Sequence, residues 1–227
     1  MRYRTALLVV SCSALPAAPV LSAERVSDPA KASVFIRVVG KLQVEVDSSW
    51  TESVEERDVE IGTGSGFVFT PYGHVLTNYH VVDGGSETER FGDREVRIDL
   101  SVERIEVILP GSNPETPALR LPATVEVSDA GLDLAVLSVS GADLPYLGFG
   151  DSDAAEPGED VIVYGFPFGR EVEVGKAALP DILPTVSMSR GAVAAARADD
   201  AGSTAFLQTS ATVNPGNSGG PMVDAEG

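Results

Sequence analysis

The stretch that most constrains this 227-residue chain is residues 213–221, which read Val-Asn-Pro-Gly-Asn-Ser-Gly-Gly-Pro. Neither a helix nor a regular strand accommodates three glycines and two prolines so close together. We therefore predict a tight loop that presents Ser218, with the backbone N–H groups of Gly216 and Ser218 converging beside its hydroxyl. Two such donors are what an acyl-transfer site needs to stabilise an oxyanion. Because a serine hydroxyl is a weak nucleophile by itself, the loop also predicts a base and an orienting group elsewhere.

The composition favours a mostly β protein. The chain is 43% hydrophobic with 23 glycines and 15 prolines, and its apolar segments show β-branched alternation rather than helical periodicity. It is long enough for one large domain or for two of about 100 residues. Residues 141–158 are rich in Pro, Gly and Asp, so we predict a boundary there, with domains over residues 24–145 and 146–227.

The charge balance is strongly acidic, with a formal net charge of −18. The basic residues form no cluster, which argues against nucleic acid as a partner. So many acidic side chains indicate a solvated surface rather than a dedicated acidic recognition surface.

Residues 1–23 have the pattern of an export signal. Arg2 and Arg4 form a basic start, residues 6–10 begin an apolar run, and residues 21–23 end in small side chains. Two prolines interrupt the run, so it is too short to span a membrane as a helix of the mature chain. The sequence therefore predicts a periplasmic or secreted protein without an integral membrane span.

The single cysteine, Cys12, lies inside this predicted signal. A mature chain cut after Ala23 contains no thiol and cannot depend on disulfides, which suits a periplasm or cell exterior without requiring it. Residues 9–12 also resemble a lipoprotein cleavage box, so a lipid anchor on Cys12 is the alternative.

Three further segments carry structural expectations. Residues 62–66 are glycine-rich, but no Gly-Lys-Ser/Thr ending follows, so we reject a phosphate-binding loop and predict a turn that feeds a strand. Residues 48–58 are charged and predict a surface excursion. Residues 85–94 are polar and predict an exposed loop.

The base and its orienting group must come from a short set of candidates. His74 follows a predicted hairpin turn and His80 stands where a strand ends, so each alone is typical of an ordinary structural residue. Asp133 directly precedes an apolar strand, where acids are often turn or cap residues. Asp129 and Asp143 compete with it, but Asp133 is best placed for partial burial beside an imidazole.

Taken together, His80, Asp133 and Ser218 occur in an order and in local contexts that resemble the trypsin-like serine proteases, most of all the bacterial HtrA/Deg branch. The resemblance covers about residues 34–227 and is most specific at the serine loop. It rests on residues 64–82, 133–137, 148–152, 165–169 and 214–221.

The resemblance implies an all-β fold of two antiparallel six-stranded β-barrels with the active site between them. His80 is then the general base and later the acid, Asp133 its orienting group, and Ser218 the nucleophile, while the N–H groups of Gly216 and Ser218 form the oxyanion hole. The implied reaction is peptide-bond hydrolysis through an acyl-enzyme, with exported or misfolded proteins as substrates and no metal or cofactor. A homo-oligomer is possible, because relatives often form trimers.

The sequence departs from the family pattern at several positions. Relatives usually carry Asp at Ser210 and Ala at Thr212, which bears on the preparation of the specificity pocket but not on the triad, whereas the departure from their usual Asn at Phe166 carries little weight. The chain ends nine residues after Ser218, where the family has further strands and often a PDZ domain. We therefore expect an incomplete second barrel and a fragment of a longer protein. These departures motivate the alternative function, a catalytically weak or inactive protease-like module for binding or chaperoning.

Overall fold

In the computed structural model of the chain, most of the regular secondary structure among the described residues is strand, arranged in two sheets. One helix of four residues, α1 (Tyr79–Val82), is present in the described part of the chain, and the prediction of an all-β fold is confirmed. The structure describes residues 24–47, 52–92, 94–111, 118–140, 143–167, 185–198, 202 and 204–225.

The first sheet closes into a six-stranded barrel. Its strands pair antiparallel in the order β1-β2-β3-β7-β6-β5, and β5 returns to pair with β1, while β4 lies beside β5 outside the ring. The strands are β1 (Ser33–Asp47), β2 (Glu52–Val68), β3 (His74–Thr77), β4 (Ser86–Phe91), β5 (Arg94–Leu109), β6 (Leu119–Asp129) and β7 (Leu134–Val139).

The first part of strand β1, residues 33–39, is buried on both of its faces, which explains why all its residues except Ser33 and Arg37 are apolar. Val34, Ile36 and Val38 point into the barrel and belong to its main core cluster. Phe35 points the other way and forms a second cluster with Ile108 and with the ring of Phe166, whose centroid lies 5.7 Å away in an edge-to-face arrangement. Because Phe166 directly follows the first strand of the second sheet, this cluster joins the two sheets.

The second sheet is open and has four described strands, β8 (Asp160–Gly165), β9 (Ser187–Ala198), β10 (Thr204–Thr209) and β11 (Met222–Val223). They pair antiparallel in the order β10-β9-β8-β11. A closed barrel beside an open sheet confirms the prediction of a trypsin-like double barrel whose second barrel is incomplete.

The predicted domain boundary at residues 145/146 falls between β7 and β8 and stays a prediction. No helix among the described residues is long and apolar enough to cross a membrane. The predicted export signal and Cys12 lie outside the described residues.

The glycine-rich segment at residues 62–66 is not a turn, so that expectation was wrong. It lies inside strand β2 and pairs with β1 along its length. Its glycines serve close packing instead: a Cβ on Gly64 would lie 2.6 Å from a Val81 methyl, and a Cβ on Gly66 would lie 2.9 Å from the Leu76 carbonyl oxygen.

Two charged segments predicted as irregular are also strand. From residue 52 onward the predicted surface excursion belongs to β2, and β4 occupies most of the loop expected at residues 85–94. Both strands extend beyond the barrel with exposed side chains, so no apolar face marked them in the sequence. Cross-strand ion pairs accompany the pairing, such as Lys41 Nζ to Glu55 Oε2 at 2.8 Å.

Candidate active site

The fold brings His80 and Asp133 into direct contact. Strands β3 and β7 are antiparallel neighbours with Thr77 opposite Ala135, so the residues just after β3 meet those just before β7. The Nδ1 atom of the His80 ring lies 2.7 Å from Oδ2 of Asp133. The backbone N–H of His80 donates to Oδ1 of the same carboxylate at 2.9 Å, so one side chain holds both the ring and the main chain of His80.

Asp133 occupies this place through an unusual backbone conformation. Its φ is +54°, in the left-handed region that Asp tolerates better than most non-glycine residues. Its carbonyl oxygen accepts a hydrogen bond from the Asn78 side-chain amide at 2.8 Å. Asn78 immediately precedes α1, so this bond ties the turn before β7 to the start of the helix that carries His80.

Two opposing effects act on the Asp133 carboxyl. Partial burial acts to raise its pKa, but the hydrogen bonds from the His80 backbone and ring, with a smaller contribution from Tyr79, outweigh it, so the pKa lies below its ordinary value. An ionised carboxylate only accepts hydrogen bonds. The His80 hydrogen must therefore sit on Nδ1, which leaves Nε2 as the basic nitrogen.

Two of the competing candidates, Asp129 and His74, form contacts with other residues than those of the proposed site. Oδ1 of Asp129 accepts hydrogen bonds from the N–H groups of Gly131 and Leu132 at 2.8 and 3.0 Å, and thus closes its own turn. His74 lies in β3 with Nδ1 2.7 Å from the Thr70 hydroxyl and Nε2 3.3 Å from Oε2 of Glu126. Asp143 also has a positive φ, +69°, but in the described part of the chain no hydrogen bond joins it to His80.

The loop that carries Ser218 is seated against the segment leading to His80. The Ser65 backbone N–H donates to the Ser218 carbonyl at 2.8 Å. Gly219 has a φ of +84°, and a Cβ there would lie 2.3 Å from the Thr77 hydroxyl and 2.9 Å from the Asn78 nitrogen. Only glycine allows this approach, which places the serine loop within two residues of His80 along the neighbouring chain.

Ser65 is a residue that sequence reasoning missed. Its side chain is fully buried, its hydroxyl donates to the Gly216 carbonyl at 2.6 Å, and it accepts from the Phe166 backbone N–H at 2.9 Å. One sequence feature could have indicated Ser65: its polar side chain stands between two glycines, directly before the apolar residues 67–69.

Asn217 sits between the two predicted oxyanion donors and is 8% exposed. Its Oδ1 atom is buried without a hydrogen-bond partner among the described residues. A Cβ on Gly165 would lie 2.7 Å from this atom and 3.0 Å from the Ser65 hydroxyl, so a residue larger than glycine at 165 would displace both groups.

Ser210, one of the departures from the family pattern, bonds to the neighbouring strand. Its hydroxyl accepts from the Ala192 N–H at 3.0 Å, and its own N–H donates to the Ala192 carbonyl at 3.0 Å. The described residues contain no group of three or more His, Cys, Asp or Glu side chains placed to hold a metal ion.

Comparison of the whole chain with known proteins gives one family. A family model described as the trypsin-like peptidase domain matches residues 64–227. The Chlamydia pneumoniae protein named "Probable periplasmic serine endoprotease DegP-like" is 32% identical over 164 residues, covering 72% of this chain and 27% of that protein. The Bacillus subtilis "Serine protease Do-like HtrA" is 32% identical over 200 residues, covering 83% of this chain and 37% of that protein.

A solved structure gives the same result for the fold. The crystal structure of Deg5 superposes with a TM-score of 0.56 at 25% identity, covering 86% of this chain and 75% of the other. The chain thus spans 27% and 37% of the two curated relatives above but three quarters of this solved chain. With the family model extending over more than half of the sequence, the chain belongs to the family of trypsin-like peptidase domains, with relatives in the HtrA/Deg branch.

Proposed function

We propose that this chain carries the catalytic domain of a serine endopeptidase, with Ser218 as nucleophile, His80 as general base and Asp133 as the group that orients it. The observation that carries the proposal is the 2.7 Å hydrogen bond between the His80 ring and the Asp133 carboxylate, beside a loop that holds a serine between glycines. A serine hydroxyl is activated when a histidine, itself oriented by a carboxylate, lies close enough to take its proton.

The proposed reaction has two stages. Nε2 of His80 takes the proton of the Ser218 hydroxyl as Oγ attacks the substrate carbonyl carbon. The carbonyl oxygen becomes an oxyanion, which the N–H groups of Gly216 and Ser218 stabilise. His80 then gives its proton to the departing amine as the peptide C–N bond breaks and an acyl-enzyme remains. Water, deprotonated by the same ring, hydrolyses the ester and restores the Ser218 hydroxyl.

The substrates that fit this proposal are exported or misfolded proteins outside the cytoplasm. The Chlamydia relative is named a periplasmic serine endoprotease, and residues 1–23 of this chain have the pattern of an export signal. A periplasmic or secreted location follows, with the lipid anchor on Cys12 as the alternative. The resemblance leaves a homo-oligomer open, and the proposal does not depend on one.

One observation favours the alternative of a weakly catalytic binding module. The side chains of His80 and Asp133 are 56% and 44% exposed, so solvent screens their interaction more than in a closed site. Under this alternative the same loops bind unfolded chains without cleaving them.

The test is hydrolysis of an unfolded protein by the full-length protein and its variants. Ser218→Ala and His80→Ala should each lower kcat by roughly 10³ or more. His74→Ala is the matched control, because its partly buried ring contacts Thr70 and Glu126 rather than Asp133, and it should keep kcat per folded molecule within about twofold.

The outcomes separate the two functions. Turnover that survives Ser218→Ala contradicts the peptidase proposal. Binding of an unfolded protein without cleavage, equally strong in the wild type and in Ser218→Ala, supports the binding module instead.

A further inference from the structure

We infer that Ser65 is a positioning residue that sets the geometry of the oxyanion hole from the opposite barrel. The inference rests on the proposed function, because it assigns a role in the reaction of Ser218. Ser65 lies in β2 of the closed barrel, 151 residues before Gly216 in the chain. It contacts substrate in no step, and its effect passes through the serine loop.

Ser65 holds the carbonyl groups of both residues whose N–H groups form the proposed oxyanion hole. Its hydroxyl donates to the Gly216 carbonyl at 2.6 Å, and its backbone N–H donates to the Ser218 carbonyl at 2.8 Å. The two bonds start from a single residue. They therefore hold the 216–217 and 218–219 peptide planes, each of which directly follows one of the two N–H groups, at fixed positions relative to strand β2.

The direction of each hydrogen bond at the Ser65 hydroxyl is determined by chemistry. A carbonyl oxygen only accepts and a backbone N–H only donates. The single O–H of Ser65 must therefore point to Gly216, while its lone pairs receive the Phe166 N–H at 2.9 Å. The hydroxyl thus donates to one loop residue and accepts from another, and Ser65 itself is 0% exposed.

Gly216 is the residue that most needs such an anchor. Its φ of +94° is open to glycine but not to other L residues, and a glycine between Pro215 and Asn217 rotates easily. Rotation about Gly216 swings its N–H away from the point where the oxyanion forms. The Ser65 hydroxyl bonds the Gly216 carbonyl, which lies in one peptide plane with the Asn217 N–H. The bond therefore holds the peptide on the C-terminal side of Gly216 and restricts rotation about this residue.

Two neighbouring residues, Gly165 and Thr77, help to hold Ser65 in one position. Gly165 lies where a Cβ would come within 3.0 Å of the Ser65 hydroxyl, so the second sheet leaves space for it. The Ser65 carbonyl accepts from the Thr77 hydroxyl at 2.7 Å, which connects the same residue to the segment leading to His80. Ser65 therefore links the nucleophile loop, the end of β8 and the end of β3.

The experiment compares Ser65→Ala with Ser33→Ala in the full-length protein. Ser33 is an equally buried serine whose hydroxyl donates to the Pro29 carbonyl at 2.9 Å, away from the serine loop, so Ser33→Ala removes one hydrogen bond where Ser65→Ala removes two. Ser65→Cys is the third variant, since it keeps the side-chain shape and a weak S–H donor while adding a larger sulfur atom. For each protein we measure kcat, KM, the acid limb of the pH profile, and the folded fraction by circular dichroism at the assay temperature.

We expect Ser65→Ala to lower kcat per folded molecule at least tenfold, toward the roughly 10²-fold loss that follows removal of an oxyanion donor. KM should stay within about threefold and the acid limb should not move, because ground-state binding and His80 are untouched. Ser65→Cys should fall between Ser65→Ala and the wild type, and Ser33→Ala should keep the wild-type kcat.

Each other outcome has a defined meaning. Wild-type kcat in folded Ser65→Ala overturns the inference, and so does an equal loss in Ser65→Ala and Ser33→Ala. If Ser65→Ala does not fold, Ser65→Cys decides: unchanged kcat overturns the inference and a selective loss of kcat supports it. If the wild type has no turnover that depends on Ser218, the proposed function itself fails and the inference fails with it.

Discussion

Replacing Asp133 by asparagine separates the catalytic role of this side chain from its structural role. The His80 backbone N–H lies 2.9 Å from Oδ1 and can only donate, so the amide oxygen of asparagine must take that position. The amide NH₂ group then faces Nδ1 of the His80 ring in place of the present acceptor, 2.7 Å away. A donor at that point forces the ring hydrogen onto Nε2, where it faces the nucleophile.

The expected magnitudes differ sharply between rate and stability. A ring in the wrong tautomer cannot act as a base, and we expect kcat to fall by about 10³- to 10⁴-fold. This corresponds to about 4 to 5 kcal/mol of transition-state stabilisation. The free energy of unfolding should fall by no more than about 1 kcal/mol, because both side chains are roughly half exposed and the substitution conserves shape.

The assay measures peptide hydrolysis and thermal unfolding on the same preparation. Asp129→Asn is the control, because its carboxylate closes a turn through an oxygen that asparagine retains, and its kcat should stay within about twofold of the wild type. A kcat for Asp133→Asn within tenfold of the wild type would refute the tautomer argument. So would a loss of stability as large as the loss of rate.

Two other predictions concern pH and packing. Because hydrogen bonds from His80 lower the Asp133 pKa in the fold, the stability that the wild type has over Asp133→Asn should be fully present above the ordinary pKa of about 3.9 and should shrink as pH falls through the lower folded value. Urea titrations of both proteins between neutral and acid pH measure this, and a difference that grows in acid contradicts it. Phe166→Ala should lower the free energy of unfolding by about 3–5 kcal/mol, because this ring is fully buried against Phe35 between the sheets. Phe206→Ala, at a ring that is 71% exposed, should change it by no more than about 0.5 kcal/mol, and equal losses would refute the packing account.

The serine loop was the most predictable part of the chain because its information is local. Glycines and prolines on both sides of Ser218 exclude regular structure, and Gly216 and Gly219 do adopt positive φ values of +94° and +84°. The approach of His80 to Asp133 is not local, since 53 residues separate them. It could be anticipated from the resemblance, and the physical reason is the pairing of β3 with β7.

Other features left no pattern in the sequence. The first half of β2, residues 52–60, pairs with β1 outside the barrel core and consists mostly of charged residues, so neither of its faces shows apolar alternation. Ser65 was missed because both partners of its hydroxyl lie more than 100 residues further along the chain, at separations of 101 and 151 residues. Its role emerges only where the closed barrel meets the second sheet.

The most direct test that Ser218 is a nucleophile activated by His80 is to label the full-length protein with a fluorophosphonate. The adduct is then located by mass spectrometry of the peptides. An activated serine reacts with such a probe, whereas the many unactivated hydroxyl groups of the chain do not. We expect a single adduct on Ser218, which is absent in Ser218→Ala and forms much more slowly in His80→Ala. An adduct on another residue, no adduct at all, or labelling at the same rate in His80→Ala would contradict it.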